Sequence, residues 1–191
     1  MANANRPMGL RPLYYQGGAA YTGQVTRYVV LAGDGTALFM GDPVKLVGTG
    51  DANGVASITR CTANADVPVG VVVGFVPDKN YEAQTYRTGS TLRYVLVADD
   101  PNLVFEVQAN GTFGYATAPG QNVGMTYTAG STSTGLSNVV ADLASLGTSS
   151  ALPLKVLGAK PGPDNDSTDT SNVRLLVTIQ NHMFKPGVTG V

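Results

Sequence analysis

His182 is the only histidine in the chain. Any Ser–His–Asp or Cys–His nucleophilic centre would therefore have to be built on it. Serines are common, but the Gly-x-Ser-x-Gly elbow that exposes a nucleophilic serine is absent. His182 lies beside Asn181 near the end of a strand-like run and reads as a structural hydrogen-bonding residue. The run from Gly130 to Gly135 has the glycine spacing that opens a phosphate loop, yet Leu136 follows where a lysine would meet the β and γ phosphates. It reads as a flexible loop. Asp164, Asp166 and Asp169 resemble the start of a calcium loop. Counting from Asp164, however, position 5 is Thr168, and positions 6 and 12 are Asp169 and Leu175, not the glycine and glutamate of the EF-hand order. A solvated loop is the simpler reading. Asp99 and Asp100 are adjacent, so on a strand they would face opposite ways; a turn opening on aspartate accounts for them. Cys61 is the only cysteine, which excludes an intrachain disulfide and a cysteine-based zinc site. Arg60 beside it could lower a thiol pKa, but neighbours on a strand diverge, so Cys61 reads as a small buried residue. No catalytic, cofactor-binding or metal-ligating residue is expected, and no cofactor is implied.

The composition points the same way. Hydrophobic residues make up 43% of the 191 residues, enough for a real core, while charged residues make up only 13%, about half of what globular chains carry. A surface so poor in charge is either covered by partners or rich in Thr, Ser and Asn. The formal net charge is −1 and the cations are scattered singly. This argues against direct nucleic-acid binding, which needs clustered Lys and Arg, and against electrostatic docking on a membrane. Residues 1–7 lack the apolar run of a signal peptide, and stretches such as Val71-Val72-Val73 are too short to span a bilayer. The expectation is folding in a reducing cytoplasm.

The elements that would position these residues read as strands. Residues 1–24 look like an extended arm: two prolines and a glycine between Arg6 and Tyr15 oppose helix, while Met8, Leu10, Leu13, Tyr14 and Tyr15 are too apolar for a disordered tail. The segment reads as one that orders against a partner, the alternative being a terminal strand packed on its own domain. Residues 25–191 form the β-rich body. Strands are expected over Gln24–Leu31, Leu38–Met40, Asp42–Val47, Val55–Thr59 and Val67–Val76, where Gly70 and Gly74 predict a bulge or a close backbone approach. Leu92–Ala98 and Leu103–Gln108, joined by Asp99-Asp100-Pro101-Asn102, have the period of two expected of a hairpin. A Gly/Thr/Ser-rich stretch spans 109–135. Leu136, Val139, Val140 and Leu143 have helical spacing, which allows one short helix. Leu152–Leu157 and Val173–Ile179 close the series, separated by a polar loop at 160–172. The fold class is all-β, a jelly-roll-like sandwich or barrel with an extended N-terminal arm and at most one short helix.

Two strings carry a resemblance. The opening Met1-Ala2-Asn3-Ala4-Asn5-Arg6-Pro7-Met8-Gly9-Leu10-Arg11-Pro12 and the closing run from Val173 to Phe184, an alternating strand ending in Asn181-His182-Met183-Phe184, resemble a family of tailed-bacteriophage structural cement, or decoration, proteins. Gly41-Asp42-Pro43-Val44 and Val69-Gly70-Val71 lie where that family carries similar strand openings. The resemblance implies a jelly-roll-like body on the outer surface of the virion, made in the host cytoplasm. It would bind the shell of major capsid protein and staple neighbouring capsomers, usually as a homodimer or homotrimer. It would touch neither DNA nor membrane and would catalyse nothing. Residues Arg6, Pro7, Met8, Leu10, Arg11, Pro12, Leu13, Tyr14 and Tyr15 are the expected shell contacts, since an extended segment can add contact area or a strand to a neighbour. The rival readings are another virion part, such as a head–neck or tail protein, and a carbohydrate- or receptor-binding β module. The chain has no Trp for an aromatic platform but has nine tyrosines.

Overall fold

The computed structural model describes residues 3–188 and 190–191, which form eleven strands and no helix. Five strands close into a barrel in the order β2 (Thr26–Val30), β4 (Ala56–Arg60), β3 (Pro43–Gly50), β5 (Gly70–Phe75) and β6 (Arg93–Ala98). The other six form a second sheet in the order β1 (Arg11–Tyr15), β7 (Leu103–Asn110), β11 (Arg174–Ile179), β10 (Leu154–Ala159), β8 (Asn122–Thr126) and β9 (Val140–Gly147). That sheet curls until β9 returns to β7 in parallel, pairing Ala109 with Ala141 and Asn110 with Asp142. Closure of this kind removes the exposed strand edges that invite aggregation. The all-β sandwich or barrel expectation therefore holds, in a barrel-plus-sheet form.

Each half has its own core. Tyr28, Val30, Leu38, Val44, Ile58, Val95 and Val97 fill the barrel. Leu103, Phe105, Val107, Phe113, Val123, Leu154, Leu175 and Ile179 fill the second half. The valine-dense β5 shows why branched residues sit here: each strand packs side chains on a pleated surface that favours them. Both glycine expectations on β5 are met. The register with β6 slips between Val72 and Gly74, a bulge, and a side chain at Gly70 would collide with the Ala98 carbonyl of β6.

The structure corrects three readings. The strands flanking Asp99–Asn102 do not form a hairpin. Both edges of β6 are already taken, by β2 and β5, so β7 leaves the barrel and enters the second sheet between β1 and β11. The turn is the crossing between the two halves. Second, the short helix after Leu136 is replaced by β9. The buried positions are Val139, Ala141 and Leu143, an alternation of two, whereas Leu136 is 36% exposed; the helical spacing was coincidental. Third, β8 lies inside the Gly/Thr/Ser-rich stretch, where no strand was expected.

The 1–24 segment is no free arm. Leu13 and its neighbours form β1, antiparallel to β7 with Pro12 opposite Phe105 and Tyr14 opposite Val104. Its outer edge is covered by the chain's own return, where the Tyr15 amide donates to the Ala19 carbonyl at 2.8 Å and the Tyr21 amide to the Leu13 carbonyl at 3.1 Å. This is the terminal-strand alternative.

Candidate functional site

An open, mostly apolar groove of about 740 Å³ lies between the N-terminal segment and the barrel. One wall is Met8, Arg11, Pro12 and Leu13; Met40, Val73 and Leu136 face them. The floor is set by backbone. The Leu10 amide donates to the Gly41 carbonyl at 2.9 Å, and the Gly41 amide donates to the Val72 carbonyl at 2.7 Å. Gly9 and Gly41 both have positive φ, and a Cβ on either would strike the other segment's backbone, so only glycine permits this crossing. Asp42 anchors the same corner. Its carboxylate accepts from the Phe39 amide at 2.8 Å and from the Ser137 hydroxyl at 2.5 Å. Burial pushes its pKa up to about 6 although both donors act to lower it.

Seven of the nine residues expected to contact a shell border three separate depressions. Met8, Leu10, Arg11, Pro12 and Leu13 line the groove, but Leu10 is 1% exposed and serves the core. Arg11 is exposed and forms no ion pair among the described residues. Arg6 lies elsewhere, in a polar depression with Asn3, Asp164 and Arg174, and its amide donates to the Gln108 side chain at 2.6 Å. Pro7 and Tyr14 are half-buried. Tyr15 borders a third depression, beside Asp99 and Asp100. Composition missed Met40, Val73 and Gly41, which come from the barrel side. The signal for them was the pair of glycines, Gly9 and Gly41, whose joint requirement is invisible until the two segments meet.

The residues flagged for chemistry are held in structural roles. His182 is buried; its Nδ1 accepts from the Phe184 amide at 3.1 Å. Burial, with Lys185 nearby, lowers its pKa to about 4. The Val69 carbonyl favours a proton on the ring, but Nε2 makes no well-formed hydrogen bond. Cys61 is fully buried. Burial and the Asp66 carboxylate push its thiol up, and Arg60 is not among the groups acting on it. Ser131 and Gly135 close a tight turn on each other, and the Gly135 carbonyl accepts from the Met40 amide at 3.0 Å. Asp164 pairs with Arg174 at 3.1 Å, Asp166 accepts from the Thr168 amide and hydroxyl, and Asp169 accepts from the Ser171 and Asn3 amides. Among the described residues no three His, Cys, Asp or Glu side chains are placed to hold a metal. No protein-family model, curated protein or solved structure matches the chain.

Proposed function

We propose that this chain is a decoration protein of a tailed-phage capsid. In this reading it binds the outer face of the major capsid protein shell, as a homodimer or homotrimer, and staples neighbouring capsomers without catalysis. The observation that carries the reading is the coincidence of string and site. The N-terminal run that resembles the cement family is also the run that builds one wall of the apolar groove. An exposed apolar depression of this size costs solvation unless something covers it, and Met8, Pro12 and Leu13 are the residues a shell segment would meet. The corrected geometry alters the mechanism expected from sequence. The N-terminal segment is a fixed wall of the contact, not a free arm that wraps a neighbour, so little chain entropy is lost on docking. Repetition of one modest contact over a symmetric particle then multiplies its strength.

The test is copy number. Virions of the phage that encodes the chain are purified, and the chain is quantified against the major capsid protein by mass spectrometry. A ratio of about one, the stoichiometry of a shell-wide lattice, is the expected result. About a dozen copies would move the chain to a neck or tail ring, and absence from the particle would end the virion reading.

A further inference from the structure

The depression beside the crossing turn holds a set of groups that, Tyr15 apart, the capsid reading leaves unused. Its volume is about 540 Å³, and Tyr15, Gln24, Asp99, Asp100 and Phe184 border it. Phe184 is 52% exposed and is the only aromatic side chain in the exposed class among the described residues. Its ring contacts the His182 imidazole at 5.7 Å between centroids. The Gln24 side chain is pinned, because its Oε1 accepts from the Tyr15 hydroxyl at 2.8 Å and the Thr22 hydroxyl at 3.1 Å. That fixes the amide and leaves Nε2 without a partner among the described residues. Asp99 is held by the Thr26 and Tyr28 hydroxyls at 3.1 and 2.9 Å. Asp100 accepts the Asn102 amide on Oδ1 at 2.7 Å and keeps Oδ2 available.

We propose that this depression is a binding subsite for a neutral sugar residue, a hexose or N-acetylhexosamine, of a surface glycan. A carboxylate acceptor beside a fixed amide donor suits neighbouring hydroxyls, each of which can donate to one group and accept from the other. The apolar C–H face of the ring would then cover Phe184, which gains by leaving water. Two carboxylates repel uronates, sialates and phosphates, so the ligand is neutral. The depression is shallow and half polar, which disfavours a lipid tail. The site does not depend on the capsid reading; if that reading holds, many copies on one particle turn a weak sugar contact into a strong one.

Saturation-transfer NMR on the purified chain tests this directly. The panel contains glucose, galactose, mannose, rhamnose, N-acetylglucosamine and N-acetylgalactosamine, with glucuronic and sialic acids as charged controls. At least one neutral sugar is expected to bind with a dissociation constant of about 1–10 mM, the range open to so small a ligand, and the acids are expected to give no signal. Phe184→Ala and Asp100→Asn should each weaken binding at least tenfold. Both side chains lie at the surface, so an unchanged thermal midpoint will show that the fold is intact. Leu157→Ser, an exposed change on β10, should leave binding unaltered. No transfer to any neutral sugar overturns the proposal, as does binding that survives Phe184→Ala undiminished.

Discussion

Asp42 and His182 are both buried, and they pull stability in opposite directions with pH. Asp42 has a folded pKa of about 6 against an ordinary 3.8. The folded state therefore holds its proton more tightly, and the stability this contributes is present below about pH 4 and lost as pH rises through 6. His182 has a folded pKa of about 4 against an ordinary 6.5. There the folded state binds the proton less tightly, so stability is gained as pH rises from 4 to 6.5. The two contributions oppose each other between pH 4 and 6.5, so removing either group should unmask the slope of the other. Urea midpoints measured across that window check the argument. Asp42→Asn should leave a curve that climbs with pH, and His182→Gln one that falls. Arg87 is another buried charged residue, and no carboxylate is bonded to it. Its guanidinium donates to the carbonyls of Thr91, Thr36, Leu31 and Asp34 at 2.5–3.0 Å, tying the 31–36 loop to the 87–91 loop. Lysine is a single point donor without that planar fork. Arg87→Lys is expected to cost about 3 kcal/mol by leaving buried carbonyls unpaired, read as a lower urea midpoint at unchanged m-value.

At the scale of elements, β1 decides what the N-terminal segment is for. Pro12 and Tyr14 sit opposite Phe105 and Val104, and Leu10 belongs to the core of the second half. Deleting residues 1–15 should therefore destabilise the protein itself, before any question of a partner. Leu10→Ala alone is expected to cost about 2–5 kcal/mol, the usual range for a buried leucine. Leu13→Asp, on the groove wall, should leave the thermal midpoint within a few degrees. A deletion that unfolds at the wild-type midpoint would restore the free-arm reading. The strands of this chain were largely legible: β6, β7 and β11 lie where alternation placed them, and β5 lies within the valine-dense run. What alternation could not show is pairing. The Asp99–Asn102 turn has hairpin chemistry, yet β6 has both edges occupied, a fact set by β2 and β5, which lie far off in sequence. Glu106 and Gln108 put two polar side chains on one face of β7. Both are buried, Glu106 against Arg174 and Lys160 and Gln108 beneath Asn5 and Arg6. Long-range polar pairing of this kind leaves no local signature. The groove was half legible for the same reason: its N-terminal wall stood out in the sequence, while the barrel wall came from residues with no pattern of their own.

For the whole molecule, the question is whether the barrel and the second sheet unfold as one. Each has its own core, which would allow two transitions. Four features couple them. Val71 of β5 and Ala98 of β6 are barrel residues, yet they lie in the core of the second half. Met183, which follows β11, packs back against the barrel core. The Asp42–Ser137 bond and the Leu10–Gly41 bond cross between the same halves, and β6 runs into β7 through only four residues. Losing either half would expose apolar surface of the other and leave those buried polar groups unpaired. Scanning calorimetry should therefore show one transition, with calorimetric and van't Hoff enthalpies in agreement. Ile58→Ala in the barrel and Leu175→Ala in the second sheet should each shift that single peak. At about 2–5 kcal/mol for each cavity, and about 2–4 °C per kcal/mol in a chain of this length, the shift is on the order of 4–20 °C. A wild-type trace that splits into two peaks, or an Ile58→Ala variant in which only an early shoulder moves, would mean that the barrel melts alone and that the shared residues do not bind the halves into one cooperative unit.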